Sequence, residues 1–359
     1  MNADAGSLHR TAPPDSDGPY LLYSVAGDPD DGSLRMMDWS GIERGAFAPL
    51  QTGGGGRGRP RFSPRFAPDG TRALLLNDVV NAAGIHLGNV GAVLGEDVGE
   101  QTVLADFRWS DDSRTLSSIG VARIISRPTG TSSPGSITPT QVAMPLAPAT
   151  LFLTTPGGKP RRIATLAEGG TTQNLSSVLA CSPSRGTALT STFLLPGPSH
   201  LVLQLVRLAD GSVAASRTLT SGAGRTNSLR QDYVATPDGT LLAQNGADRS
   251  TIVDLRTGVP AGPELPGRVR LLSADGSRAV LTPGGAVNGS EGAMIVEVSS
   301  GHVLWRTSII AEGAKARPDP SEPDIALGLR DGVIWLIPSG GNARVLAQQA
   351  GLLPDAQIT

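Results

Sequence analysis

The sequence predicts an all-β protein, a seven-bladed propeller of four-stranded antiparallel blades, with six or eight blades as the alternatives. Three observations lead there. The chain has 359 residues, more than one hydrophobic core usually organises, so it is either several domains or one repeat array. Glycine and proline, 46 and 28 residues, make about a fifth of the chain against an ordinary ~12%. That excess suits many short strands joined by tight turns. Finally, one phrase recurs: "RFAPDGTRALLL" at Arg65–Leu76 returns as "VATPDGTLLA" at Val234–Ala243 and as "LLSADGSRAVL" at Leu271–Leu281.

Aligned on its turn, the phrase begins with Ser16-Asp17-Gly18, Pro68-Asp69-Gly70 and Asp111-Asp112-Ser113. It continues with Ser184-Arg185-Gly186, Pro237-Asp238-Gly239 and Ala274-Asp275-Gly276, and a degenerate seventh copy lies within Ala316–Leu329. A short apolar strand such as "LLYSV", "ALLL" or "AVLT" follows each turn. A second motif, a strand, a glycine turn and another strand, lies downstream, with turns near Gly41, Gly95, Gly157, Gly211, Gly258, Gly301 and Gly340. Two hairpins per unit make four strands, and a period of about 50 residues matches a propeller blade. Glycine and aspartate dominate both turns because tight connections need positive φ or side-chain-to-backbone bonds. A pair of β-sandwiches or a β-solenoid is the rival, though a solenoid has a shorter period. The first blade lacks a good inner strand, because "LHRTAPPD" carries two prolines. The C-terminal "AGLLPDAQIT" is therefore expected to complete it and close the ring. The expected organisation is a flexible tail over 1–14 and a single propeller over 15–359, with a Ser/Thr/Pro-rich insertion at 126–149 in the third blade.

"FSPRFAPDGTRALLL" and "DYVATPDGTLLA" resemble the repeat of TolB-like, WD-type propellers, and the likeness runs over nearly the whole chain after Asp15. It implies the fold, and since TolB-like relatives are mostly interaction proteins it implies binding rather than chemistry. The Gly-His and Trp-Asp dipeptides of true WD repeats are absent. "VSSGHVLW" at Val298–Trp305 is similar to the tryptophan motif of quinone-dependent dehydrogenases but occurs once.

Composition narrows the function. A formal charge of −2 gives no overall field for nucleic acid or anionic lipid. No stretch reaches 18 apolar residues, so no direct membrane insertion is expected. The polar N-terminus does not read as a signal peptide. The sequence as it stands reads as cytoplasmic, or extracytoplasmic if an anchor or signal was trimmed. Lysine occurs only at Lys159 and Lys315, arginine supplying the other cations, which reads as the coding bias of a GC-rich bacterial genome. The lone Cys181 excludes an internal disulfide and a cysteine metal cluster. It reads as a buried thiol near the end of an inner strand.

The motifs for catalysis are sparse. His9, His86, His200 and His302 are scattered, with none at metal-ligand spacing; His86 and His200 fall in candidate functional loops and His302 in a hairpin turn. There is no Gly-x-Ser-x-Gly elbow. "GDPDDGS" at Gly27–Ser33 lacks the distal glutamate of a calcium loop, and "GGKP" at Gly157–Pro160 reads as a hairpin turn. No cofactor and no metal is expected, and the catalytic residues, if any, are not legible.

Both repeated turns fall on one face of the disc, leaving the opposite face to the irregular connections. That face is expected to carry function, through 53–61, 77–89, 221–232 and 282–293. The sharpest constellation is a set of arginines entering the inner strands. Arg61, Arg230 and Arg268 lie seven or eight residues before the turn aspartates, and Arg108, Arg270, Lys315 and Arg317 occupy comparable stretches. Converging guanidinium groups bind carboxylate or phosphate bidentately, so Arg61, Arg108, Arg230, Asp232, Arg268 and Arg270 are the candidate ligand residues. Pairing of these arginines with local acids such as Asp106 and Asp232, or simple hydration, is the competing reading. The expected function is a monomeric, non-catalytic binding or scaffolding propeller that recognises a protein partner or a small anionic ligand on its irregular face. The alternative is a hydrolase or lyase with its site at the arginine-lined channel mouth.

Overall fold

In a computed structural model the chain is a ring of seven antiparallel blades. The structure describes residues 18–25, 34–47, 64–90, 93–94, 100–124, 149–166, 175–194, 200–220, 233–283, 292–348 and 352–354. Among these there is no helix.

Each blade is written here from the axis outward. Blade 1 holds Leu352–Pro354, Tyr20–Val25, Arg35–Asp38 and Glu43–Ala46. Blade 2 holds Arg65–Phe66, Arg72–Leu75, Asp78–Asn81 and His86–Asn89. Blade 3 holds Glu100–Trp109, Leu116–Ile124, Thr150–Thr154 and Arg161–Thr165, with Val93–Leu94 added beside its inner strand. Blade 4 holds Leu175–Ser182, Thr187–Leu194, His200–Arg207 and Val213–Thr220. Blade 5 holds Tyr233–Ala235, Leu241–Asn245, Arg249–Asp254 and Leu265–Pro266. Blade 6 holds Arg268–Leu272, Arg278–Thr282, Ala293–Glu297 and Val303–Thr307. Blade 7 holds Ala311–Ala316, Ile325–Leu329, Val333–Ile337 and Arg344–Gln348.

The apolar runs are continuous rather than alternating because both faces of every blade are buried. Leu21 packs toward blade 7 with Ile334 and Leu336, while its neighbour Leu22 packs toward blade 2 with Phe66 and Ala73. Likewise Val206 belongs to the core between blades 3 and 4, and Leu205 to the core between blades 4 and 5. One hydrophobic cluster fills each of the seven junctions between neighbouring blades. With few aromatic residues, these cores are mostly Leu, Val, Ile and Ala.

The Asp-Gly turn joins the inner strand to the second strand wherever it is described. Asp69, Asp238 and Asp275 each use Oδ1 to accept the backbone N–H and the hydroxyl of the Thr or Ser two residues on. Gly70, Gly239 and Gly276 follow at φ of 71°, 71° and 75°, the left-handed region that glycine enters without steric cost. In the third copy Ser113 takes this conformation at φ 56°. Its hydroxyl accepts the Asp69 N–H of blade 2 at 2.9 Å.

Ring closure takes the form expected. Leu352–Pro354 pairs antiparallel with Tyr23–Val25, so the C-terminal region supplies the inner strand of blade 1. Two other expectations need correction. Gly95 does not mark the outer hairpin of blade 2. That hairpin turns at Asn81–Ile85, and Val93–Leu94 instead pairs with Thr102 and Val103 of blade 3. The stretch 77–89 is therefore not an irregular loop but the third and outer strands of blade 2. The reason is that the second and third strands of blade 2 join through the two-residue turn Leu76-Asn77, with Leu76 at φ 56°, so the unit is unusually short. The tail 1–14, the insertion apart from Ala149, 53–61 and 221–232 lie outside the described residues.

Two measurements test this account. Truncation after Gln349 removes the closing strand and is expected to lower the melting temperature by roughly 10 °C; an unchanged melting curve would show that the closure carries no stability. Gly239→Ala is expected to cost ~3 kcal/mol, since its Cβ would sit 2.6 Å from Leu189 Cβ at a left-handed φ. At Gly186, where nothing lies within 4 Å, the same change costs about 1 kcal/mol. Equal losses in urea denaturation would refute the packing argument.

Candidate functional site at the loop face

The inner strands position the side chains near the axis, because the first strands of successive blades from blade 2 to blade 7, and of blades 7 and 1, touch one another there. Four of them carry a β-bulge against their second strand: at Asp106-Phe107 in blade 3, Leu179 in blade 4, Arg270 in blade 6 and Glu312 in blade 7. A bulge re-aims the residue it inserts and is common where a sheet builds a site. Asp106 takes φ 53° to do so.

Much of the charge on these strands is committed to neighbouring blades. Arg65 donates to the Phe107 carbonyl of blade 3. Arg108 donates to the Val178 carbonyl of blade 4 at 3.1 Å and to that of Leu179, while Asp106 accepts the Val178 N–H at 3.1 Å. Thr187 Oγ1 reaches the Asp238 carbonyl of blade 5 at 2.8 Å. Asn245 clamps Val269 of blade 6 by both backbone groups, at 2.9 and 2.8 Å. The buried Arg278 reaches the Ile337 carbonyl of blade 7 at 3.0 Å and that of Pro323 at 3.3 Å. Lys315 Nζ donates to the Tyr20 carbonyl of blade 1 at 3.3 Å, and the Tyr20 N–H donates to the Asp69 carbonyl of blade 2 at 2.7 Å. The bonds run once round the ring, most of them to carbonyls of buried residues, where an unpaired acceptor would be costly.

Arg268 and Arg270 occupy the loop-face end of the blade 6 inner strand, where Arg268 pairs with Thr282. Arg270 Nε donates to Thr282 Oγ1 at 3.0 Å. Burial lowers the pKa of Arg270, and the neighbouring positive charge of Arg268 lowers it further. This pair is what the described structure retains of the predicted constellation. Arg108 sits near the turn-face end of its strand, and Lys315 and Arg317 lie at and just beyond the turn-face end of blade 7. Arg317 there faces Glu322 and Asp324 and stacks over Trp39, 5.9 Å from the ring centroid. Arg61, Arg230 and Asp232 lie outside the described residues.

His86 and His200 are on strands rather than in loops: His86 opens the outer strand of blade 2 and meets Asp78 at 3.3 Å, and His200 opens the third strand of blade 4. His302 falls in the outer hairpin turn of blade 6, as expected. Cys181 is buried, and burial pushes its thiol up to about 11 against the hydroxyls of Ser110 and Ser117. Beside it, burial raises the pKa of Asp111 despite hydrogen bonds from Ser182 and Ser184. Its Oδ1 is buried without a partner. No group of three or more metal-ligating side chains occurs among the described residues.

Sequence reasoning missed an open groove on the loop face between blades 5 and 6. It is a cavity of about 490 Å³ with Pro266, Pro283, Met294 and Val303 among its walls and Arg306 and Thr307 at its edge. Pro266 ends the blade 5 outer strand at the loop face, just before the inner strand of blade 6, and its sequence context did not mark the groove.

Comparison with known proteins adds little beyond the fold. No family model and no curated protein matches the sequence. Among solved structures, the chain is similar to TolB from Acinetobacter baumannii at 12% identity and a TM-score of 0.37, covering 90% of this chain and 64% of TolB. It is also similar to the acylaminoacyl peptidase of Pyrococcus horikoshii at 11% identity and a TM-score of 0.44, covering 94% of this chain and 52% of the peptidase. This chain thus spans about half the length of the peptidase and less than two thirds of TolB. The protein's own strand order makes it a seven-bladed β-propeller.

Asp111 provides a test of the buried polar cluster. Its raised pKa means that the native state favours the protonated acid, so ionisation costs stability as the pH rises from the ordinary carboxylate range through the raised value. Asp111→Asn is expected to raise the melting temperature at pH 7 and to have no such effect at a pH below the ordinary carboxylate pKa. A loss of stability at pH 7 would show that the ionised carboxylate is the favoured form.

Proposed function

We propose that this protein is a non-catalytic binding module whose loop face recognises a protein partner or an anionic ligand. The observation that carries the reading is the Arg268–Arg270 pair at the loop-face end of blade 6. Two like charges two residues apart on one strand repel each other, and a bound anion relieves that repulsion. On the turn face, hydrogen bonds within turns hold Asp38 and Asp275 below the usual carboxylate range despite the opposing effect of burial, with Asp111 the exception. Asp38 comes down to about 2. Carboxylates fixed in this way are poor general acids or bases near neutrality.

The test is affinity capture with wild type, an Arg268→Ala/Arg270→Ala variant and a turn-face control, Arg256→Ala/Arg114→Ala. The loop-face variant is expected to lose the recovered ligand or partner at least tenfold while the control retains it. Equal recovery by all three would sink the arginine pair as the recognition element.

A further inference from the structure

We propose that the groove between blades 5 and 6 binds an extended segment of another protein, paired along the edge strand Val303–Thr307, in which an aliphatic side chain lies next to a carboxylate. The inference rests on the reading of the chain as a binding module but concerns a different place, at the rim rather than at the channel mouth. The groove lies where blade 5 passes into blade 6. The outer strand of blade 5, Leu265–Pro266, has two residues and pairs with Arg249 and Ser250 at the loop-face end of the third strand, Arg249–Asp254. Pro266 forms one wall there, and the loop-face end of blade 6 forms the rest. Met294 and Arg306 are register partners there and face the same way.

Three features define the occupant. The walls formed by Pro266, Pro283, Met294 and Val303 are apolar, and about 490 Å³ lies within the roughly 300–1,000 Å³ of ligand sites. That favours an aliphatic group. Arg306 lines this groove without a hydrogen-bond or ionic partner among the described residues, and no acid is among the groove's described walls. A guanidinium beside an apolar surface is complemented by a carboxylate, which it binds bidentately. Val303–Thr307 is the last strand of its sheet, so one row of backbone groups faces outward. An extended chain added there places alternate side chains toward the groove, as in β-strand addition. Leu304, 44% exposed at the bulge of this strand, leaves an apolar contact for the same segment on the outside.

The probe is a fluorescein-labelled decapeptide of alternating leucine and glutamate, with a leucine–lysine counterpart, titrated with the full chain and followed by anisotropy. The glutamate peptide is expected to bind at least tenfold more tightly than the lysine peptide. Arg306→Glu, checked for an unchanged melting temperature, is expected to weaken the glutamate peptide at least tenfold and to improve the lysine peptide. Hydrogen exchange at the amides of 303–307 slows in the complex. Failure of wild type to bind, or binding indifferent to Arg306→Glu, overturns the groove proposal. Loss of binding in Arg268→Ala/Arg270→Ala with Arg306→Glu unaffected also overturns it, and assigns the peptide to the channel mouth instead.

Discussion

Closure of the ring is the constraint on which the rest of this structure depends. Every blade is apolar on both faces, so no blade is stable without a neighbour on each side. Six junctions follow from chain order, but the seventh must be made between the two ends. It is made by Leu352–Pro354 pairing with Tyr23–Val25, a contact between segments more than three hundred residues apart. Around it gather Leu21, Tyr23, Met37 and Trp39 from blade 1 and Ala326, Ile334 and Leu336 from blade 7. Arg344 adds hydrogen bonds to the carbonyls of Trp39 and Ser40, both at 3.4 Å. Such long-range contacts reward folding only after the loop-closure entropy has been met, so they belong to the completed ring.

Once closed, the ring divides its polar groups between two jobs. On the turn face they are used locally and across junctions: aspartates organise turns, and arginines reach carbonyls in the next blade. Arg108 and Arg278 illustrate why a cluster of cations near an axis does not by itself make an anion site. A buried carbonyl without a donor is costly, and a guanidinium can serve two at once. On the loop face the connections differ from blade to blade, and there lie the Arg268–Arg270 pair and the groove lined by Arg306. The rigid half of the disc supports the variable half, a common division between scaffold and recognition surface.

Much of the fold was legible in the sequence because its signals are local. Asp69-Gly70-Thr71 and Asp238-Gly239-Thr240 each encode one turn through one aspartate and one positive-φ glycine, and counting such turns counts blades. Reading failed where two local signals looked alike. The glycine at 95 follows an apolar run and precedes another, as an outer hairpin should, but the compact turn at Leu76-Asn77 had already completed blade 2 by Asn89. His86 was misplaced for the same reason. The site was harder to read, since whether an arginine is free or engaged depends on what lies in the next blade. Arg268 lies seven residues before Asp275 but Arg108 only four before Asp112, and they lie at opposite ends of their strands.

The sequence by itself determined the four-stranded unit, its sevenfold repetition, the two faces of the disc and the return of the C-terminal region to the first blade. These follow from turn chemistry, from apolar runs and from the absence of a usable first strand, all of which are properties of neighbouring residues. Only the tertiary structure decided which charges are occupied and where a surface stays open. The groove at Met294 and Arg306 arises where Pro266 of blade 5 meets the loop-face end of blade 6, and the engagement of Arg278 arises from carbonyls at Pro323 and Ile337. Contacts of that kind join residues remote in sequence, and they exist only when the blades have packed.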